Sequence, residues 1–541
     1  MLRHWRSSQM FALLGIVGFL ATGGIIPASQ ENSAAAEWRA YGGDHASSGY
    51  SPLDQITSAN VTDLEIAWEW TGRNFGPRSE VRTQTRPLMI NGVLYATAGT
   101  RRAVVAIDPR TGETIWTYRL DEGERYAEAP RRNSGRGVAY WSPGGSGEGA
   151  RIFVVTPGYH LIALDAFNGR PISEFGEDGV LDLMMGVRGG VPPVGRIGSS
   201  SPPVIVGDVV IVGSAQEVGM APDSMRNIKG DVRGFDARTG ELMWTFHTIP
   251  ASGEFGHDTW EDASAEYSGN AGVWAPFSAD LELGYVYLPV EAATSDYYGG
   301  HRPGDNLFSS SLVCLNARTG ERVWHYQLIH HDIWDWDLPA APILIDIEVD
   351  GRPIKAVAQI TKQAWVYVFD RETGEPVWPI EELPVPQSDV PGEKTSPTQP
   401  HPTKPAPFDR QGFSESDLID FTPELRAQAL ELVQNYRMGP IFTPPSLVGG
   451  PDGTRGTLML PNAMGGGNWE GGAVDPETGM LYVGSYTTPT ALGLRVPSPE
   501  RSDLNFWSGG RSPRLPRGLP IVKPPWGRIT AIDLNTGNHA W

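Results

Sequence analysis

VVAIDPRTGETIW (104–116), VRGFDARTGELMW (232–244), LVCLNARTGERVW (312–324), VYVFDRETGEPVW (366–378) and ITAIDLNTGNHAW (529–541) are five copies of one segment. Each passes through alternating apolar residues to an Asp or Asn, then Thr-Gly, then a Trp four residues after the Gly. Two weaker copies, LIALDAFNGRPI (161–172) and GAVDPETGMLYV (472–483), keep Asp165 with Gly169 and Asp475 with Gly479 but lack the Trp. The pattern reads as a β-hairpin: the alternation makes a strand, Asp bonds the turn backbone, Gly takes positive φ, and the returning strand carries an inward indole.

The Asp or Asn positions 108, 165, 236, 316 and 370 are spaced by 54 to 80 residues. Further strand-like runs, such as SPPVIVGDVVIVGS (201–214) and INGVLYATAG (90–99), lie between copies. About four strands per unit is the period of a propeller blade, where circular repetition protects sheet edges. The expected fold is all-β, a β-propeller; a multi-sheet sandwich is the alternative. Residues 379–465 break the rhythm with a Pro-rich stretch and one helix begun by Thr422 and Pro423, on which Leu425, Ala429, Leu432, Val433 and Tyr436 share one face. This segment is expected to be an insertion over a propeller face. The last copy stops at Trp541, halfway through a blade, so the sequence is expected to be truncated at its C-terminus.

Gly 65 and Pro 46 make up about a fifth of the 541 residues, in keeping with many turns and few long helices. Lys+Arg 43 against Asp+Glu 63 gives a net charge of −20, the wrong sign for a nucleic-acid binder. The single cysteine, Cys314, permits no intrachain disulfide, no CxxC zinc site and no CxxCH haem attachment, and reads as a small buried hydrophobe. Residues 1–36 read as a signal peptide, with Arg3 and Arg6 before the apolar stretch 10–22 and Ala34–Ala36 before a cleavage point at Glu37; a single uncleaved anchor is the alternative. The expected location is periplasmic, with peripheral membrane association open.

Polar groups with chemical potential stand in otherwise apolar contexts. In HHDIWDWD (330–337) acids and aromatics alternate, so on an extended backbone Asp335 and Asp337 share a face, and two such carboxylates call for a cation or a shared proton. Glu217 follows the strand VVIVGSAQ and Glu291 follows YVYLPV. Loops just past strand ends can converge on a hard cation that prefers oxygen. Zinc at His330-His331 is disfavoured, because adjacent histidines on a strand face opposite ways and no third ligand is evident.

The repeat, together with WRAYGGD (38–44), YSPLDQI (50–56), NVTDLEIAWEW (60–70), HHDIWDWDLPA (330–340) and GGNWEGGAVDPETG (466–479), resembles the quinoprotein dehydrogenases that use pyrroloquinoline quinone (PQQ). RPGDNLFSSSLVCLNARTG (302–320) points to the membrane-type glucose dehydrogenase branch. The resemblance covers nearly everything after residue 37 and implies an eight-bladed propeller with the quinone at its centre. It implies Asp335 as general base and Lys362 as the cation on the quinone oxygens. Trp274 would be the stacking indole, Arg136 the partner of a cofactor carboxylate, and Asn468 and Trp469 neighbours of the quinone, with Gln84 and Ser200 weaker candidates. Glu217, Glu291, Asp335 and Asp337 would be the metal ligands. Glu291 stands where many relatives place Asn, and Arg131-Arg132-Asn133 replaces the vicinal cysteines of the methanol and ethanol enzymes.

The activity implied by the resemblance is that of a sugar (an aldose such as glucose) or alcohol dehydrogenase. Such an enzyme would move hydride to PQQ with Ca2+, or Mg2+ or a lanthanide, as Lewis acid, and pass electrons to cytochrome c or a quinone. A non-catalytic envelope scaffold is the alternative, but such a protein has no need of Asp335, Lys362 and the paired glutamates.

Overall fold

A computed structural model describes residues 37–541, apart from Asn74, Arg78, Ser79, Val81, Ser146, Val218, Gly510 and Arg511. The proposed signal peptide therefore lies outside the described residues. Among the described residues no helix is long and apolar enough to cross a membrane.

The first repeat builds an antiparallel meander of Leu88–Ile90, Val93–Ala98, Ala103–Ile107 and Thr114–Tyr118, hydrogen-bonded in chain order. Four-stranded sheets of the same order span 139–182, 204–246 and 278–327, and a three-stranded one spans 343–370. A further sheet takes strands 472–475, 480–486, 527–533 and 538–539. Between its second and third strands the chain leaves to pair Thr490–Arg495 with 446–447, 457–459 and 507–508. The 379–465 stretch thus contributes a hairpin (Ile380–Pro384 with Thr398–Pro402), the expected helix Pro423–Val433 and two strands of that sheet. Thr422 caps the helix by accepting from Leu425 N at 3.2 Å, and Ala429 and Val433 are buried.

The turn chemistry of the repeat is as read. Asp108, Asp165, Asp236, Asn316, Asp370, Asp475 and Asp533 each accept backbone N–H bonds from residues two or three ahead. Glycines 112, 240, 320 and 374 all lie in the left-handed region. In three of the copies a bulge sits just before the turn, at Ala106/Ile107, Gly234/Phe235 and Cys314/Leu315. Cys314 is fully buried.

Trp116, Trp244, Trp324 and Trp378 each serve a following repeat, whereas Trp541 lies against Tyr482 of its own sheet. Trp116 Nε1 donates to Ala166 O at 3.1 Å, Trp244 Nε1 to Ala317 O at 3.0 Å and Trp324 Nε1 to Arg371 O at 3.1 Å. The three indoles lie on Gly169, Gly320 and Gly374, where a Cβ would come within 2.4, 2.5 and 2.6 Å of the ring. In the copy 161–172, which lacks the tryptophan, Phe175 takes this place, its ring edge facing the Cβ position of Gly240 at 3.3 Å. Trp378 occupies the same place on Gly537.

Candidate active site

The loop that carries Asp335 is shaped by Asp332. Its carboxylate accepts from Trp334 N (2.9 Å), Trp336 N (3.2 Å) and Ser310 Oγ (2.8 Å), which winds residues 332–336 into a tight turn. Trp334 and Trp336 drop into the core, stacked at 5.8 Å, with Phe442 edge-on to both. The backbone here is not an extended strand as the alternation suggested, because Asp335 has φ 58. The two carboxylates converge nonetheless. Lys362, just past strand Arg352–Ile360, reaches Asp335 O at 2.8 Å, Asp335 Oδ1 at 3.2 Å and Asp337 Oδ2 at 3.0 Å.

The adjacent histidines also have a role that is not metal binding. His331 Nε2 lies 2.7 Å from Glu393 Oε1, with both side chains 1% exposed. Gln399 exchanges two hydrogen bonds with the backbone of His330. The 380–402 hairpin is thereby fastened to the loop that carries Asp335.

All eleven residues singled out from the sequence line one cavity of about 730 Å3. Asp337 is engaged on both oxygens, by Ala292 N at 3.0 Å on one and by Lys362 and Trp274 Nε1 (3.1 Å) on the other, so the Trp274 ring is fixed in orientation. Arg136 donates to Ser200 Oγ (2.8 Å), Ser201 Oγ (3.0 Å) and Trp274 O (3.2 Å), and its guanidinium lies 5.1 Å from the ring centres of both Trp274 and Trp469. Asn468 ties its loop by accepting from Trp469 N at 2.7 Å and donating to Met464 O at 2.6 Å. This loop lies against Lys362: a Cβ at Gly465 would fall 2.8 Å from Lys362 Cα. Glu217 stands at the rim, with its side chain 61% exposed and paired to Arg196 at 2.9 Å.

Electrostatics separate the carboxyls. Burial pushes the Asp335 carboxyl well above the usual range and Asp337 and Asp296 add to this, with Lys362 opposing. Asp337 moves the other way: burial opposes its charge, but Lys362 and the Ala292 and Trp274 donors outweigh it. Burial opposes the Lys362 ammonium too, yet Asp335 and Asp337 hold its pKa up. Burial, then repulsion from Asp337, raises Glu291 well above its ordinary value. A carboxylate of raised basicity beside a permanent ammonium is a general base matched to a hydroxyl proton.

Several buried polar atoms facing this region have no partner among the described residues: Glu291 Oε1, Asn270 Oδ1, Gln216 Oε1, Gln84 Oε1 and Arg136 Nε. Gly272 brings three oxygens together, since a Cβ there would lie 2.8 Å from Glu291 Oε1, 2.8 Å from Ser214 O and 3.0 Å from Gln216 Oε1. Unpaired carboxylate, amide and carbonyl oxygens suit a hard cation. Among the described residues no group of three His, Cys, Asp and Glu side chains is arranged for a metal, so amide oxygens must complete such a set. The residues the sequence reading passed over are Asn270, Gln216, Asp296 and Tyr297, whose hydroxyl donates to Asp335 Oδ2 at 3.4 Å. Tyr297 and Asp296 sit only six and five residues past Glu291, which was the available signal.

Residues 38–541 match the family described as "PQQ: Glucose/ethanol/alcohol dehydrogenase, beta-propeller domain". The chain is 32% identical to the quinoprotein glucose dehydrogenase of Escherichia coli (strain K12), over 93% of this chain and 65% of that protein. It is 30% identical to the glycerol dehydrogenase large subunit of Gluconobacter oxydans (strain 621H), over 94% of this chain and 71% of that one. It thus spans about two-thirds of the length of these relatives. Among solved structures, the quinohemoprotein alcohol dehydrogenase of Comamonas testosteroni superposes with a TM-score of 0.65 at 24% identity, over 95% of this chain and 68% of that one. A europium-containing methanol dehydrogenase gives 0.64 at 20% identity, over 95% and 79%. These two likenesses concern the fold. The chain belongs to the PQQ-dependent glucose/ethanol/alcohol dehydrogenase family and carries its β-propeller domain.

Proposed function

We propose that this chain oxidises the CH–OH group of a sugar or alcohol, with PQQ as resident oxidant, a hard cation beside it and Asp335 as general base. The observation that carries the reading is the Lys362 ammonium between Asp335 and Asp337, with Trp274 locked to the same Asp337. PQQ, when bound, supplies a two-electron acceptor that the cation polarises. Arg136 and Trp274 would hold the flat anionic cofactor, Arg136 through its unpaired Nε and Trp274 through its face. Ser200 keeps Arg136 aimed, and Gln84, Asn468 and Trp469 would complete the enclosure. Glu291, Asn270 and Gln216 would hold the cation, calcium in first place with magnesium or a lanthanide as the other choices. Glu217 and Asp337, expected among its ligands, are engaged by Arg196 and Lys362 respectively, so the cation draws first on Glu291.

The chain's own work is positional and electrostatic. Asp335, held through Oδ1 by Lys362 and through Oδ2 by Tyr297, takes the proton of the substrate hydroxyl. General-base help of this kind is worth about 10²–10⁴ in rate. Lys362, buried and kept protonated, offsets negative charge that grows beside it. The propeller is read as eight-bladed, exported to the periplasm, and served by an external acceptor, cytochrome c or a quinone.

The test is reconstitution with PQQ and calcium, then dye reduction with a panel of aldoses and alcohols, with lanthanum replacing calcium in parallel. Activity that needs PQQ and disappears in Asp335→Asn is the expected result. A well-folded protein that binds no PQQ would sink the reading.

A further inference from the structure

Two carboxyls in the cavity are not used by this scheme, Glu80, which accepts from Ser134 N at 2.7 Å, and Asp296. Asp296 is 6% exposed, lines the same cavity as Asp335, and its side chain has no hydrogen-bond partner among the described residues. It is held by its backbone, with Asp296 N donating to Gly219 O at 3.1 Å. Gly219 leaves it room: a Cβ there would strike Asp296 Oδ1 at 2.1 Å, so no larger residue fits without displacing the carboxyl. Burial and the nearby Asp337 raise its pKa to about 8, which marks a carboxyl without a compensating donor. Its oxygens open on the cavity, unlike Gln84 Oε1 and Asn270 Oδ1, which are buried without partners among the described residues and are taken up by the cofactor and the cation in this scheme. A carboxyl that faces a cavity and has no protein donor is a place for a ligand's O–H.

We propose that Asp296 determines specificity by accepting a hydrogen bond from a second hydroxyl of a polyhydroxylated substrate, a sugar or polyol whose reacting hydroxyl lies at Asp335. The inference rests on the reading of Asp335 as the base. A monohydric alcohol has one O–H, and Asp335 uses it; Asp296 would then receive no donor from the substrate. Sites built to bond a hydroxyl reject analogues lacking it far more strongly than apolar pockets reject an extra methylene. The cavity wall is therefore matched to a substrate with several O–H donors.

The experiment compares kcat/KM for a sugar, a linear polyol and a monohydric alcohol in the wild-type holoenzyme, Asp296→Asn and Asp296→Ala. The expected result is that Asp296→Ala lowers the polyhydroxy-to-monohydric ratio by about 100-fold or more. Asp296→Asn, which keeps an acceptor oxygen, should fall between. Calorimetry on the same holoproteins with a polyol lacking the reacting hydroxyl reads binding without turnover, and affinity should drop in Asp296→Ala. An unchanged ratio, equal binding by wild type and variant, or a variant corrected by raising calcium alone overturns the proposal. Turnover that survives in Asp335→Asn, with the substrate ratio still dependent on Asp296, overturns the reading of the base and leaves the contact to a second hydroxyl standing.

Discussion

Replacing Lys362 with Met tests whether the base is tuned by charge. The ammonium lies 3.2 Å from Asp335 Oδ1, where unit charges attract by about 5 kcal/mol at an effective dielectric of about 20. Methionine keeps most of the volume and removes the charge, so Asp335, already pushed up by burial, becomes harder still to ionise. If only half of that attraction acts on ionisation, roughly 100-fold less base is present at a given pH on its acid side. The assay is kcat/KM against pH. The limb that rises as Asp335 loses its proton should move to higher pH in Lys362→Met and return most of the way in Lys362→Arg, which restores charge with a different donor geometry. A uniform fall at every pH, with the limb unmoved, would refute the idea that Lys362 acts through the charge of Asp335.

Three other outcomes are expected. Trp274→Ala should weaken PQQ binding about 10-fold by loss of the stacking face, read by absorbance titration; unchanged affinity would place the cofactor elsewhere. Gly320→Ala should cost about 3 kcal/mol, since φ is +74 and Trp244 lies 2.5 Å from the new Cβ. Gly351→Ala, at φ +74 with nothing within 4 Å, should cost about 1 kcal/mol, and equal losses in Tm would argue against indole docking. Asp335 and Asp296 have folded pKa values raised above their unfolded ones, so their contribution is complete at low pH and lost as pH rises. Without cofactor and cation, Tm should therefore fall as pH climbs from about 4 towards about 8, and a flat profile would contradict the raised values.

The repeat was legible because its chemistry is local. Asp, Gly and Trp act within one hairpin, and the spacing from Gly to Trp places the indole on the returning strand. Phe175 was missed because its ring reaches Gly240 from six residues past Gly169 rather than four, outside the pattern. All eleven site residues proved to face one cavity, but the reason given for Asp335 and Asp337 was only partly right. Period-two alternation suggests a strand, whereas Asp332 winds the segment into a turn and sends the indoles inward. Asn270 and Gln216 escaped notice because an amide in a loop carries no signature until the fold brings it beside Glu291, whereas Asp296, five residues past Glu291, had only that closeness to mark it.

The fastening of the 380–402 hairpin has a consequence for how the site comes into being and how it is lost. Its bonds to His331 and His330 join residues 62 and 69 positions apart in sequence. During synthesis the loop that carries Asp335 emerges well before the partner that secures it, so that loop is fixed only after the later segment has docked. The outer edge of the hairpin, Glu381 to Pro384, is exposed. A single backbone cut there would free the tether without touching Asp335, Asp337 or Lys362. Vulnerability and activity are thus located in different parts of the chain.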